Sequence, residues 1–380
     1  MIKRRAVLSI CSSLITIIPR GDSRVVQFSH FSVKEYLTSS RLARSPHGEV
    51  SQFRIDLEPA HTIMAQSCLA TLLRLDKHSD AKVSPLIEYA AEHWVEHAQF
   101  EKVSSRLRDG MDDLFDSSKP HFMAWLRVHD IDNPWVWFSH NSRDGVGSPL
   151  YCAAFCGFYG VAERLITKHP EHVTARGGWN LFPLPAALYN RHFHVANLLY
   201  RHGAIVDVQS DDKRTPLYAA SSHGQVDIIR WLLNRGADVD ARTSDGDTPL
   251  SQAAFKMQLG AVQVLFDHHA DINSQDTAGR TSLYSILAYC GSKEKFADMV
   301  RLLLELGADP NICATFNQRT PLHDASSQGL LKAARLLLSH GAQVDEKDGW
   351  ETTPFELAAS KGHEELTKLL VEHGAVPPSQ

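Results

Sequence analysis

The stretch TPLYAASSHGQVDIIRWLLNRGADVD, residues 215–240, decides the fold because close variants of it recur along the chain. The position after its opening Thr recurs at intervals of 34, 33, 33, 33, 39 and 33 residues, at Pro149, Pro183, Pro216, Pro249, Ser282, Pro321 and Pro354. Self-similarity with a period in the thirties is typical of proteins built from stacked repeats. We therefore expect about seven copies over roughly residues 145–376.

The chemistry of one copy predicts two short helices. Thr215 is a good N-cap, and Pro216 stands at the first helical position, where a missing N–H costs nothing. Gly224 breaks the first helix, and the apolar residues of 226–233 keep helical spacing through a second one. Gly236 is the expected left-handed stop. Because neither helix can bury its apolar face alone, the copies must stack.

The same residues resemble a known repeat. Thr320 to Ala325 reads TPLHDA, and Gly341 to Asp345 reads GAQVD; together they are similar to the ankyrin repeat. A tetratricopeptide array has a close period, but it lacks the Thr-Pro start and the Gly-Ala-Asp stop. The resemblance implies a mostly α fold, an ankyrin-repeat α-solenoid of about seven helix-turn-helix repeats, preceded by a helical domain and a winged-helix-like remnant.

Composition narrows the class of protein. The formal charge of −5 is mild, so we expect no nucleic-acid partner. Six cysteines without a C-x-x-C pair favour a reducing, cytoplasmic compartment. The apolar run at 6–19 is too short to span a bilayer, and it lacks the small-x-small site of a signal peptide. We expect no membrane association, no cofactor and no metal.

The first 45 residues predict a helix at 6–13, a strand at 14–18, a turn at 19–23 and a strand at 25–28. A capping box at Ser32 and Glu35 predicts a further helix. The segment Phe28 to Ser39 resembles the end of the NACHT-type NTPase module in fungal NLR-like proteins, which often carry ankyrin arrays behind it. No phosphate loop, G-x-x-x-x-G-K-[ST], is present. The resemblance implies the C-terminal, sensor or regulatory part of such a protein, or a subunit that acts with a nucleotide-binding partner.

Between this remnant and the repeats, the pattern predicts a small helical domain. We expect a linker at 45–60 and then helices at 61–75, from Pro85 onward, at 103–115 and at 121–128. The chain is therefore divided into residues 1–45, 46–140 and 145–380. We also expect the segment from Asn133 to Phe138 to cover the first repeat.

Two histidines and a glutamate in this domain could form either a metal site or part of a packed helix. His93, Glu96 and His97 fit H-x-x-E-H, in which two histidines one turn apart bind zinc and the glutamate serves as general base. A zinc hydrolase would need a third ligand from another helix, and Trp94 favours a packed helix instead. We expect no enzyme here. Cys152 and Cys156 are expected to fill the core, and His269 replaces the usual left-handed Gly.

Function is expected on the turn tips and first helices of the array, the concave side on which ankyrin proteins bind their protein partners. Aromatic side chains beside arginines are typical interface anchors. The expected contact residues are Asp212, Arg214, Ser222, His223, Asp247, Phe255, Lys256, Arg280, Tyr289, Phe316, Arg319, Ser327 and Gln328. Two copies depart from the pattern. Copy two lacks the capping Thr, and copy five carries six extra residues near Cys290. The sequence therefore predicts a non-enzymatic protein-binding scaffold.

Overall fold

A computed structural model describes residues 15–20, 23–28, 57–75, 85–100, 102–128, 148–177, 182–289 and 296–377. The chain separates into two compact units, Met1–Ile131 and Asp132–Gln380. The predicted helices at 6–13 and from Ser32, the covering segment Asn133 to Phe138 and the extra residues near Cys290 lie outside the described ranges. The three-part division of the chain stays a prediction.

The N-terminal hairpin pairs β1 (Ile15–Arg20) with β2 (Ser23–Phe28), antiparallel. Ile15 faces Phe28 and Pro19 faces Arg24 in its register. The predicted hairpin is confirmed, but the predicted turn was too long because Pro19 and Arg20 belong to the strand. Both strands of a two-stranded sheet are edges, and an edge tolerates proline because one side needs no ladder hydrogen bond.

The described residues of the first unit form five helices after the hairpin, and aromatic side chains fill the core between them. The helices are α1 (Leu57–Leu72), α2 (Pro85–Gln99), α3 (Val103–Arg106), α4 (Arg108–Leu114) and α5 (Pro120–Val128). Trp94 and Trp125 are fully buried, and their rings meet edge to face with centroids 5.3 Å apart. The Trp125 indole N–H donates to the carbonyl of Ala91 over 3.1 Å, so its polar atom is satisfied in the core.

Two helix boundaries in this unit differ from the predictions. Helix α1 begins at Leu57, inside the predicted linker, and Pro59 lies in its first turn, where backbone N–H groups have no helical partner. The predicted helix 103–115 is two helices, because Leu107 leaves helical geometry at φ −102° and ψ 13°. Leu107 and Met111 are both buried at this break.

The second unit contains the seven predicted pairs of helices. The first helices are α6 (Pro149–Phe155), α8 (Pro183–Tyr189), α10 (Pro216–Ser222), α12 (Pro249–Phe255), α14 (Ser282–Tyr289), α16 (Pro321–Ser327) and α18 (Pro354–Ser360). The second helices are α7 (Tyr159–Lys168), α9 (Phe193–Arg201), α11 (Val226–Leu233), α13 (Leu259–Asp267), α15 (Phe296–Glu305), α17 (Leu331–Ser339) and α19 (Glu364–Glu372). All seven first helices begin at the residue that the sequence period marks, which confirms the solenoid.

Helix starts and stops follow the predicted chemistry. The Thr215 hydroxyl accepts a hydrogen bond from the Tyr218 N–H at 3.2 Å, whereas Phe182 gives α8 no side-chain cap. Gly236 is left-handed at φ 81°. His269, which replaces the usual glycine, takes the left-handed conformation at φ 69° and not a different turn geometry, although this conformation is unfavourable for a residue with a Cβ.

Neighbouring repeats contact through small residues. The first helices of successive repeats pack side by side, and Ala253 and Ala254 are fully buried where they meet. The junction of repeats two and three is looser, because α8 and α10 scarcely touch. An apolar cleft lies there between Phe182 and Ala219.

Backbone hydrogen bonds join the successive long turns that lead into repeats three to seven. The N–H groups of Ser244, Thr277, Thr315 and Gly349 donate to carbonyls of the preceding turn over 2.8–3.0 Å, at Asp212, Asp245, Ala278 and Asn317 respectively. Each bond joins two repeats without using a side chain. The turns therefore form a continuous ladder whose tips keep fixed spacing.

A buried histidine joins repeat six to the turn of repeat seven. His323 is fully buried; its Nδ1 lies 3.1 Å from the Thr320 nitrogen, and its Nε2 lies 3.1 Å from the Thr352 oxygen. Since an amide N–H can only donate and a carbonyl can only accept, the ring is neutral with its hydrogen on Nε2. Burial lowers the pKa of His323.

The cap of α10 gives a first prediction. Thr215→Ala removes the oxygen that accepts from the Tyr218 N–H and should lower the free energy of unfolding by about 1 kcal/mol. Thr215→Ser keeps this oxygen and should retain most of the stability. Urea denaturation of both variants measures the difference, and equal losses would show that the hydroxyl does not cap the helix.

His323 gives a second prediction. Because its pKa is lower in the folded than in the unfolded chain, the unfolded chain takes up more protons below about pH 6.5, and the stability of the fold should fall there. His323→Gln should flatten this fall relative to the parent chain. Urea midpoints measured between pH 7.5 and pH 5.5 test it, and parallel curves for the two chains would contradict it.

Candidate functional site

Three large side chains project from one end of the array without being buried. Phe316 is 85% exposed, and Trp350 and Tyr289 are each 61% exposed. Phe316 and Trp350 lie on successive turn tips, and Tyr289 ends the first helix of repeat five. We call these three residues with Arg319 the aromatic surface. Exposed aromatic side chains of this size beside an arginine are typical of interfaces.

Arg319 is held at the centre of this surface. Its Nε donates to Asp348 Oδ2 over 3.0 Å, and its Nη1 lies 4.0 Å from Asp324 Oδ1. The guanidinium carbon stands 5.2 Å from the centre of the Trp350 ring, within cation–π range. The Trp350 ring is therefore steadied by the arginine while much of its surface remains open to solvent.

Asp348 fixes the tip that carries Trp350. Its Oδ1 accepts from the N–H groups of Trp350 and Thr352, each over 3.0 Å. Burial opposes its charge, but these two hydrogen bonds and the one from Arg319 leave the pKa of Asp348 below its ordinary value. The carboxylate is thus ionised at neutral pH and holds the tip in one conformation.

A second arginine positions Tyr289 in the same manner. Arg280 Nε donates to Asp276 Oδ2 over 2.7 Å, and its Nη1 donates to the Tyr289 hydroxyl over 3.0 Å. The guanidinium carbon lies 5.7 Å from the ring centre. Arg280 and Arg319 occupy the same repeat position, immediately before the capping threonine, and each lies beside an exposed aromatic ring, Tyr289 and Trp350 respectively.

A third arginine at this position lies over a ring that is buried, and two more expected contact residues pair with each other. Arg214 stands over the Tyr218 ring at 5.7 Å, and Lys256 Nζ lies 5.8 Å from the centre of the Phe255 ring. Asp247 is half-buried, and burial, followed by the nearby acidic side chains, raises the pKa of its carboxyl. Repeats three and four therefore carry charged side chains at the expected positions.

Several other expected contact residues are engaged between repeats. Ser222 Oγ accepts from Gln252 Nε2 over 3.0 Å, and His223 Nε2 lies 3.3 Å from the Tyr189 hydroxyl. Gln328 Nε2 donates to the carbonyl of Leu287 over 2.7 Å.

Two further expected residues contribute backbone atoms to the stack. The Ser327 carbonyl lies 3.3 Å from His363 Nε2, and the Asp212 carbonyl accepts from the Ser244 N–H. The Asp212 side chain is exposed. The role of all thirteen residues in partner binding stays a prediction.

The sequence analysis missed Trp350 and Asp348. Trp350 could have been found by applying to repeat seven the rule used elsewhere, since it precedes the capping Thr353 by three residues. Asp348 precedes Thr353 by five residues, a position that the rule does not select. Asp212 stands three residues before Thr215 in the same way. What the rule does not reveal is that Arg319 of repeat six reaches across to both residues.

The H-x-x-E-H residues of α2 do not converge on one point. His93 Nδ1 lies 3.5 Å from Glu96, whereas His97 Nδ1 lies 2.9 Å from His61 Nδ1 on α1. The Tyr89 hydroxyl lies 3.1 Å from the other ring nitrogen of His97. Among the residues that the structure describes, these side chains do not bring three metal-binding atoms together. The arrangement favours the packed helix over a zinc hydrolase.

Through the described ranges, every helix falls short of the length and hydropathy that crossing a membrane requires.

Curated proteins match parts of this chain. Azaphilone pigments biosynthesis cluster protein L of Monascus ruber is 29% identical over 221 residues, 53% of this chain and 46% of that protein. Potassium channel KOR2 of Oryza sativa subsp. japonica is 42% identical over 59 residues, which are 16% of this chain and 8% of that protein. Human cyclin-dependent kinase 4 inhibitor B is 36% identical over 61 residues, which are 16% of this chain and 44% of that protein. The chain therefore spans less than half the length of these relatives.

The family model for ankyrin repeats matches residues 150–243, 184–276 and 286–380. Repeats of this family generally mediate protein–protein interaction, and no catalytic family is indicated. Since the matched residues make up more than half of the 380, the chain belongs to the ankyrin-repeat proteins.

Proposed function

We propose that this chain is a non-enzymatic recognition module that binds a protein partner through the turn tips and first helices of its ankyrin array. The observation that carries the proposal is the aromatic surface, on which Phe316 and Trp350 are exposed on adjacent tips. Exposed aromatic area of this kind is costly in water and becomes favourable when a partner covers it.

The rigidity of the tips supports the proposal. The Gly349 N–H donates to the Asn317 carbonyl over 2.8 Å, so the two tips are joined directly beside the aromatic side chains. Asp348 and Arg319 fix the Trp350 tip as well. A surface that is already ordered loses little conformational entropy on binding, which favours affinity.

The charges of the surface indicate how a partner is oriented. Arg280 pairs with Asp276, and Arg319 pairs with Asp348 and lies 4.0 Å from Asp324. The two arginine side chains nevertheless remain 33% and 23% exposed. A partner with a carboxylate beside an apolar side chain would complement both the arginines and the rings. Electrostatic matching of this kind speeds association and selects the partner.

A more specific role can be proposed from the resemblance of residues 28–39 to the end of the NACHT-type module. We propose that the module works in the cytoplasm as the sensor or regulatory end of a NACHT-type signalling system, with the nucleotide-binding part supplied by the same or another chain. The scattered cysteines, which form no C-x-x-C pair, support the cytoplasmic location. The hairpin that ends at Phe28 supports the resemblance to the NACHT-type module. Co-purification with a nucleotide-binding protein from native cells would support it, and purification without one would count against it.

The aromatic surface gives a third prediction. A partner captured from native cells should bind the double variant Phe316→Ala/Trp350→Ala more weakly by about 2 kcal/mol or more, roughly thirtyfold in Kd, because buried aromatic anchors dominate interface energies. Titration calorimetry with the purified partner measures the loss.

A matched control is the double variant Ile205→Ala/Val376→Ala. These side chains are 55% and 71% exposed, and each follows the Gly-Ala stop of its repeat, away from the aromatic surface. Affinity of this variant should equal that of the parent chain. Equal binding by the aromatic-surface variant would mean that the partner uses another face.

A further inference from the structure

The turn that connects repeat one to repeat two carries three potential metal ligands within four residues. Helix α7 ends at Lys168, and a 3₁₀ turn, Pro170–Val173, follows. His169, Glu171 and His172 each offer one ligand atom here, and these atoms all lie within 4.8 Å of one another. Among the described residues, this is the place where three such groups meet.

The backbone of the turn is fixed independently of these side chains. Val173 is buried, the His169 N–H donates to Leu165 O over 2.8 Å, and the His172 N–H donates to His169 O over 3.1 Å. Pro170 restricts its own φ angle. The three Cα positions are thus held by the fold, and only side-chain rotation separates one arrangement of the ligand atoms from another.

The distances approach those of a metal site. His169 Nδ1 lies 3.2 Å from Glu171 Oε1, and His172 Nε2 lies 3.9 Å from the same oxygen. Around a tetrahedral zinc ion with bonds of about 2.0–2.1 Å, ligand atoms stand roughly 3.3 Å apart. The first distance already fits, and the second must shorten by about 0.6 Å.

The rings need a modest rotation to bind together. The two imidazoles stack with centroids 5.0 Å apart and planes at 21°, so their in-plane lone pairs do not yet converge. The His169 side chain is 46% exposed and has room to turn about its terminal torsion, whereas the His172 side chain is 30% exposed and its Nδ1 is buried. The rotation lowers the affinity for the ion somewhat but requires no backbone movement.

We propose that His169, Glu171 and His172 form a binding site for a divalent transition-metal ion, with zinc as the ion whose chemistry fits best. Two imidazoles and one carboxylate suit zinc, whereas magnesium and calcium prefer oxygen ligands. Three protein ligands leave the remaining coordination position to water or to an incoming donor atom. The bound ion links the end of α7 to the turn that leads into repeat two.

Titration calorimetry of the full, untagged chain with zinc chloride at pH 7.5 tests this site. The parent chain should bind one zinc ion in a saturable, micromolar step. His169→Ala/His172→Ala should lack that step, and Glu171→Gln should weaken it by about tenfold or more, because each removes a direct ligand. Magnesium chloride should give no saturable step.

The matched control is His194→Ala/His202→Ala, which removes two exposed histidines from repeat two while leaving the turn intact. This variant should bind zinc as the parent chain does. The thermal midpoint of the parent and control chains should rise with zinc, and that of His169→Ala/His172→Ala should not.

Two outcomes would overturn the proposal. One is the absence of a saturable step in the parent chain. The other is equal zinc uptake by the parent and by His169→Ala/His172→Ala, which would place the bound ion elsewhere. Since the aromatic surface lies in repeats five to seven, either result leaves the proposed partner binding untouched.

Discussion

The array depends on one constraint: a single pair of short helices cannot bury its apolar face, so each repeat needs its neighbours. The contact is built from two kinds of interaction. Small side chains such as Ala253 and Ala254 let successive first helices come close. Backbone hydrogen bonds, such as that from Gly349 N–H to Asn317 O, join successive turns. Stability is then a sum of local interfaces along the row.

The candidate binding surface follows from the same construction. Because the turns are tied in a ladder, side chains on successive tips are presented at fixed spacing and without a folding step. Phe316 and Trp350 use this arrangement, and Arg319 connects their repeats through Asp348. The interaction that stabilises the stack therefore also orders the aromatic surface, which links the fold to the proposed recognition of a protein.

The repeated part of the fold was predictable from sequence because its signals are local and occur seven times. Caps such as Thr215 and stops such as Gly236 act on their own helices, so the helix starts agree with the structure. The first unit was less predictable, since it has no repeat. The break at Leu107 and the start of α1 before Pro59 are boundaries that its single-helix patterns did not indicate.

The sites show the same division. Arg280, Arg319 and Phe316 were expected on the surface because their repeat positions determine where they lie. Other contacts join residues that are far apart in sequence, and no motif predicts them. Examples are the contact of His61 with His97 and the ion pair of Arg319 with Asp348. The His169, Glu171 and His172 cluster depends on the shape of one irregular turn, so spacing alone gave no signal for it.

Hydrogen exchange followed by mass spectrometry on a chain carrying Leu337→Ala tests the row of local interfaces most directly. Leu337 is fully buried in α17, and its loss leaves a cavity in repeat six. The account predicts faster exchange in repeats five to seven and unchanged exchange in repeats one to three. Equally faster exchange in all seven repeats would contradict it, because the array would then behave as one indivisible core.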